Sequence, residues 1–319
     1  MMNKTSKDVF DRAIKWIHNN NVDEKGIVVT SKRRVIYPEV TGYYIPSLLY
    51  AGEEKMAMSF AKYLCSIQKS NGSWYDADNR TPFIFDGGQI LKGLVAIRDL
   101  MPEVDENIIR GIDWILSNMN DEGRLVQPNT DVWGTNDSHV NDLIHLYAIS
   151  PILDAAKIFD RPDYTNKVNK VIDYYVSHNK DRIVNYTLFS HFYAYVIEGL
   201  IDCGRLELPI IAMKNLEKYR FKNGAVTAYN NVDWYCSTAL FQYAIIWYKL
   251  GENEKADKTF EFACSLQNSS GGWYGSYAPN IISYAKARFS RKMYIHDEEI
   301  SWAVKFYLDA KKYKEMIEK

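Results

Sequence analysis

The sequence has no apolar run approaching the roughly 18 to 20 residues that a bilayer-spanning helix requires. Its first residues, MMNKTSKDVFDRAIKW, lack the apolar stretch and small-residue cleavage site of a secretory signal, so a cytoplasmic protein without membrane insertion is expected. Cysteine is scarce: Cys65, Cys203, Cys236 and Cys264 show no C-x-x-C spacing and read as reduced, mostly buried thiols. An excess of charge is also missing. The 39 Lys and Arg against 40 Asp and Glu leave a net charge of -1, which draws in neither nucleic acid nor an anionic surface by long-range field. There is no P-loop and no G-x-G-x-x-G fingerprint, so no nucleotide cofactor is expected. His139-x-x-Asp142-x-x-His145 does not make a metal box, because its two imidazoles lie about 240° apart on a helix. No metal is expected either.

Aromatic side chains are plentiful. They make up 14% of the 319 residues, with 24 Tyr and 8 Trp. Tyrosine joins an apolar ring to a polar hydroxyl, so it serves either as core bulk or as the wall of a pocket that stacks on its ligand.

Internal repeats organise the chain. CSIQKSNGSWYDAD, starting at Cys65, and CSLQNSSGGWYGSY, starting at Cys264, match closely: each ends a helical pattern on Gln, turns through Ser, Asn and Gly, and presents Gly-x-Trp-Tyr. The same grammar recurs before Gly26, Gly123 and Gly224, and near Asp181 without a glycine. These glycines suit positive-φ turns after a helix end. Six units result. Each first helix is amphipathic, as in ENEKADKTFEFACSLQ, and each second helix is apolar nearly all round, as in CSTALFQYAIIWYKL. The second helices are expected over 39–51, 85–99, 138–154, 188–201, 234–250 and 298–310. Outer helix, turn, inner helix, six times over, predicts an all-α (α/α)6 toroid spanning 1–319 as one domain. Closure is favoured over an open solenoid, which would leave doubly apolar helices half exposed at its ends.

In such a ring the turns and the starts of the inner helices share one end, and that end carries the polar residues. Glu39 and Tyr43 sit four apart on one face of the first inner helix, next to Tyr37. Asp86 and Gln89 open the second, His139 and Asp142 the third, His191 and Tyr195 the fourth, Trp234 the fifth, and Tyr294, Glu298 and Trp302 the sixth. Asp86, Asp137, Asp233 and Asp297 also stand where helix N-caps belong. Lys32, Arg33 and Arg34 in the first loop and Lys286, Arg288, Arg291 and Lys292 in the last become neighbours if the ring closes, forming a basic sector suited to a carboxylate.

The helix–Gln–x–x–x–Gly–x–Trp turns resemble the terpenoid cyclase and protein prenyltransferase superfamily of α/α-toroids. The strings YPEVTGYYIP from Tyr37, DGGQ from Asp86 and SWAVKFYLDA from Ser301 resemble toroid proteins that accompany bacterial capsule and surface-polysaccharide biosynthesis. The isoprenoid branches are matched less well. Only Asp76-Ala77-Asp78 stands in for an Asp-rich acid motif, and Asp233-x-x-Cys236 with His296 departs from the Asp-x-Cys spacing of a prenyltransferase zinc site.

Toroids host many chemistries, so function rests on the site. The residues point to a carbohydrate-active enzyme of surface-polysaccharide metabolism acting on an anionic, uronate-type sugar or glycan. Tyr37, Tyr43, His139 or His191 would move a proton, with Glu39 sharing that work, in epimerisation or elimination; Glu39 and Asp142 would serve in glycoside hydrolysis. Arg33, Arg34, Asp86, Gln89, Tyr195, Trp234, Arg288, Arg291, Tyr294, Glu298 and Trp302 would hold the substrate. Association with polysaccharide-assembly enzymes is a further expectation. A non-catalytic glycan- or partner-binding toroid and an isoprenoid enzyme are the alternatives.

Overall fold

The computed structural model describes residues 6–129, 142–289 and 293–318. Helices follow the sequence pattern in pairs. The first pair is α1 (Ser6–Asn20) with α2 (Pro38–Tyr50), and the second α3 (Glu54–Ile67) with α4 (Ile84–Ile97). Next come α5 (Asp105–Ser117) with α6 (His145–Ala148) and α7 (Ser150–Ile158), and α8 (Pro162–Val184) with α9 (Ser190–Asp202). The chain ends with α10 (Glu207–Leu216) and α11 (Ser237–Lys249), then α12 (Asn253–Ser265), a long loop holding α13 (Ile281–Phe289), and α14 (Ser301–Ile317).

The inner helices touch in ring order: α2 on α4, α4 on α6, α6 on α9, α9 on α11, α11 on α14, and α14 back on α2. The fold is therefore the closed (α/α)6 toroid. Small residues let the inner helices approach. A Cβ on Gly93 would stand 2.1 Å from the Gly42 carbonyl oxygen, so α2 and α4 cross backbone to backbone.

The repeated turns tie each outer helix to the next. Trp74 Nε1 donates to Leu64 O and Trp273 Nε1 to Ala263 O, both at 2.8 Å, so each buried indole staples its turn to the helix before it. Gln68 Nε2 then reaches Asn107 O of α5 at 2.9 Å, and Gln267 Nε2 reaches Val9 O of α1 at 2.9 Å. The second of these bonds closes the ring.

Glu299 completes the seam. Its carboxylate accepts from Trp16 Nε1 at 2.7 Å, from Asn268 Nδ2 at 2.9 Å and from the Ser270 hydroxyl. Tyr44 OH donates to Ser301 O at 2.7 Å, and Ser47 Oγ to Asp309 at 2.6 Å. Replacing Glu299 by Ala strands a buried indole N–H, and is expected to cost roughly 2–4 kcal/mol in urea unfolding, with Gln recovering part of it. Equal stability of the Glu299→Ala variant and wild type would show that the seam does not depend on this carboxylate.

Several expected boundaries move, for physical reasons. The third inner helix breaks into α6 and α7 at Pro151, which cannot continue the backbone ladder. Residues 130–141 lie outside the described residues. The fifth begins at Ser237 rather than 234, because Tyr235–Cys236 pairs antiparallel with Ser276–Tyr277. The sixth starts at Ser301, after Glu299 and Ile300 bridge to Tyr274 and Thr30. The outer helix α8 runs through the expected stop near Asp181, with a kink at Asn179. At Gly26 the expected positive-φ turn is absent: Asp23 and Glu24 take φ of 51° and 58°, while Gly26 pairs in a short antiparallel bridge. Among the described residues the four cysteines form no disulfide; Cys236 is buried and the rest half-buried. Among the described residues, no helix is long and apolar enough to cross a membrane.

Candidate active site

Two adjoining clefts open at the end of the ring where the inner helices start. The inner one, a cavity of about 80 Å³, is lined by Tyr37, Glu39, Tyr43, Phe85, His191, Phe192, Tyr195, Tyr294 and Trp302. The outer one, of about 220 Å³, is lined by Arg33, Tyr37, Asp76, Asp78, Arg80, Phe83, Asp86 and Trp302, among others. Tyr37 and Trp302 belong to both walls and join them into one mouth.

Pro38 at the first position of α2 sets the helix start and leaves Glu39 in its first turn. Glu39 is 4% exposed. Burial raises its pKa to about 7, held back by a hydrogen bond from Tyr37 and by the charge of Lys305. Asp86 lies in the first turn of α4, buried, with Oδ1 lacking a hydrogen-bond partner among the described residues. Burial pushes its pKa well up, and the negative charges of Glu39 and Asp76 push it further. The mouth thus holds two buried carboxyls whose surroundings differ: one has a hydroxyl donor and a cation to favour its ionised form, the other has only acids.

The N-cap reading of the aspartates is corrected. The helices α2, α4, α9, α11 and α14 have no side-chain cap bond. Asp86 lies inside its helix, Asp233 accepts from Ser283 Oγ at 2.7 Å, and Asp297 pairs with Lys32 on the surface. Asp137 lies outside the described residues.

His191 sits on the inner wall with Nδ1 2.7 Å from Gln242 Oε1. With Oε1 as the acceptor, Nδ1 carries the proton and Nε2 is the bare nitrogen. Burial lowers its pKa to about 4, so the imidazole is neutral at pH 7. Its ring packs on Tyr195 at 4.5 Å between centroids. Burial raises the phenols of Tyr43, Tyr195 and Tyr294 well above their ordinary value, so they are hydrogen-bonding hydroxyls at neutral pH.

The basic sector forms in part. Arg33 reaches the outer cleft but is paired with Asp78; Arg80, which sequence reading missed, joins it through Asp76 and Asp78. Arg34 turns toward the end of α1, bonding Asn20 Oδ1 at 2.9 Å and Asn19 O at 3.0 Å. Arg288 is exposed on α13 beside Tyr284. Glu298 spans the seam to Thr30, and Trp234 is buried against Phe189 and Tyr229 behind the wall. Gln89 lies buried on α4, with Nε2 3.4 Å from Phe85 O. Asp142 is bound by Arg124 through two nitrogens and lines neither cleft. His139 and Arg291 lie outside the described residues.

Lys305 and Gln242 were the other residues missed. Lys305 is 1% exposed. Its ammonium lies 4.4 Å from the Tyr43 ring centroid and 2.8 Å from Asp309. A lone lysine four residues before an aspartate in the apolar run SWAVKFYLDA, and a lone glutamine in STALFQYAIIWYKL, were the signals available. No group of three or more His, Cys, Asp or Glu among the described residues could hold a metal ion, and Asp233, Cys236 and His296 do not converge.

No protein-family model and no curated protein matches the chain. Solved structures do. An α-amylase from Clostridium perfringens is similar over 98% of this chain and 99% of its own, with TM-score 0.73 and 13% identity. An unsaturated glucuronyl hydrolase specific for heparin is similar over 98% and 97%, with TM-score 0.74 and 11% identity. Cellobiose 2-epimerase from Bacillus thermoamylovorans B4167 is similar over 97% and 100%, with TM-score 0.68 and 11% identity. At such identities the likeness establishes the fold alone, a six-hairpin α/α toroid. The α/α-toroid part of the expected resemblance is thereby met, without specifying the terpenoid cyclase and prenyltransferase superfamily.

Proposed function

We propose that the chain is a carbohydrate-active enzyme working by acid/base chemistry in this mouth, with hydrolysis of a glycosidic bond the reaction best supported. The observation that carries it is the pair of buried carboxyls, Glu39 and Asp86, whose surroundings push their proton affinities apart. Asp86, whose proton is favoured by burial and by the neighbouring acids, donates it to the leaving oxygen. Glu39, favoured as carboxylate by Tyr37 and Lys305, takes a proton from the attacking water. The reaction leaves Asp86 ionised and Glu39 protonated, and proton exchange with solvent through the open mouth resets both. Rings of Tyr37 and Trp302, which belong to both clefts, offer faces for a sugar. The fold shared with amylase, glucuronyl hydrolase and epimerase structures agrees with this reading.

The bare Nε2 of His191 supports a second reading, in which it abstracts a ring proton next to a uronate carboxylate, giving epimerisation or elimination. Arg33, on the outer wall, is the group a substrate carboxylate would meet, in exchange for Asp78. We place the protein in surface-polysaccharide metabolism beside assembly enzymes, in the cytoplasm where that assembly begins, on the strength of the strings at Tyr37, Asp86 and Ser301.

Incubation with uronate-containing and neutral oligosaccharides in deuterated water tests this. New reducing ends support hydrolysis. Deuterium on a ring carbon or an unsaturated sugar supports the second reading. Oligosaccharide binding without any of the three products would defeat both and leave a binding toroid.

A further inference from the structure

The helix α13 carries an apolar stripe that faces away from the protein. Ile281 and Ile282 are each 77% exposed and Phe289 is 95% exposed, far more than isolated surface apolar residues require. At about 100° per residue, Ile281, Ala285, Phe289 and Ile282 fall within roughly 100° of one another. Ser283 and Ala287 face the other way and are buried. Ser283 Oγ holds that buried face through its 2.7 Å bond to Asp233. The outward stripe is thus fixed by packing on the opposite side.

Charge frames the stripe. Lys286 and Arg288 are exposed and project just beyond its two edges. No carboxylate side chain occurs in the sequence between Glu261 and Asp297. An apolar stripe bordered by cations, on a segment free of acids, is complementary to the interface of an anionic bilayer: the rings and branched chains enter the acyl boundary and the cations meet phosphates. A protein partner of ordinary composition would match the apolar stripe but has no need of the acid-free border.

We propose that α13 docks the protein on an anionic membrane surface, lying in the interface without crossing it. The helix stands on the rim of the mouth. Tyr284 packs on His296 at 5.9 Å between centroids, and Tyr294, on the inner wall of the cleft, follows in the same loop. Docking therefore presents the open end of the ring to the bilayer.

The test is co-sedimentation of the full chain with phosphatidylcholine vesicles, with and without about one-third phosphatidylglycerol. Sedimentation with the anionic vesicles only, reversed by salt, is expected. Ile281→Ser with Phe289→Ser should abolish it. Lys286→Glu and Arg288→Glu should each weaken partition by about fivefold or more. All four positions are exposed, so melting temperatures should stay at the wild-type value. Absence of sedimentation, or sedimentation that survives the Ser pair, overturns the proposal. So does self-association without vesicle binding that the Ser pair removes, which would assign the stripe to a second copy of the chain.

Discussion

Replacing Glu39 by Gln should reduce turnover by about 10²- to 10⁴-fold while making the protein more stable above neutral pH. Both effects follow from one cause. Glu39 is buried, and burial raises its pKa from 4.5 to about 7. The folded state therefore holds this proton across a pH range in which the unfolded chain has released it. The stabilising contribution is complete below about pH 4.5 and is lost as pH rises through about 7. A displacement of that size corresponds to roughly 3 kcal/mol. Gln has the shape but no proton to lose, so its stability relative to wild type should rise by about that amount between pH 4 and pH 8 in parallel urea titrations. Catalysis falls because the amide cannot accept a proton. A variant with wild-type turnover would remove Glu39 from the chemistry; one whose relative stability does not change with pH would show that the carboxyl is not held protonated.

Gly271→Ala should be among the most damaging single-methyl additions in the ring. Its φ is +102°, where side chains are strained, and an added Cβ would stand 2.0 Å from the Arg12 carbonyl oxygen on α1. Strain and overpacking together cost about 2–6 kcal/mol. Gly251 supplies the control. Its φ is +77°, but nothing lies within 4 Å of its Cβ position. Gly251→Ala should cost only the backbone term, about 1 kcal/mol. Thermal or urea unfolding of the two variants separates close approach from backbone conformation. Equal losses would mean that the contact between the last repeat turn and α1 does not hold the ring closed. Gly72 and Gly224 repeat the geometry, with carbonyls of Arg110 and Lys258 at 2.2 and 2.4 Å. The glycines of the turns are thus placed by what the neighbouring helix brings against them.

Much of the architecture was legible because it is written in local periodicity. A charged face alternating with an apolar one marks an outer helix, and an apolar surround marks an inner one, whatever the rest of the chain does. The matched turns at Gln68 and Gln267 could be read as equivalent, and they are: each glutamine and tryptophan makes the same bonds. The starts of inner helices were less legible. Tyr235–Cys236 enters a short strand pair with a segment about forty residues away, a long-range pairing that overrides local helix pattern.

The candidate site was legible as a neighbourhood, in that Tyr37, Glu39, Tyr43, His191, Tyr195, Tyr294 and Trp302 line one cleft. The pairing of its charged groups was not. Asp86 read as a cap because Asp is common at helix starts, yet its carboxyl is buried beside Asp76 and Glu39. Asp142 read as a partner for Glu39 because both open inner helices, yet Arg124 binds it. Arg33 read as free positive charge, yet Asp78 meets it.

Residue order alone determined that helices would alternate between wet and dry surroundings, and so that they would stack as hairpins around a common axis. Hydrophobic periodicity is a property of neighbours three and four residues apart, and it survives without knowledge of the fold. Which acid would lie beside which, and which cation would be neutralised, was decided only when the ring closed and brought residues from α2, α4, α9 and α14 to one mouth. Proton affinity depends on burial and on charges a few ångströms away, and those distances exist only in the folded chain.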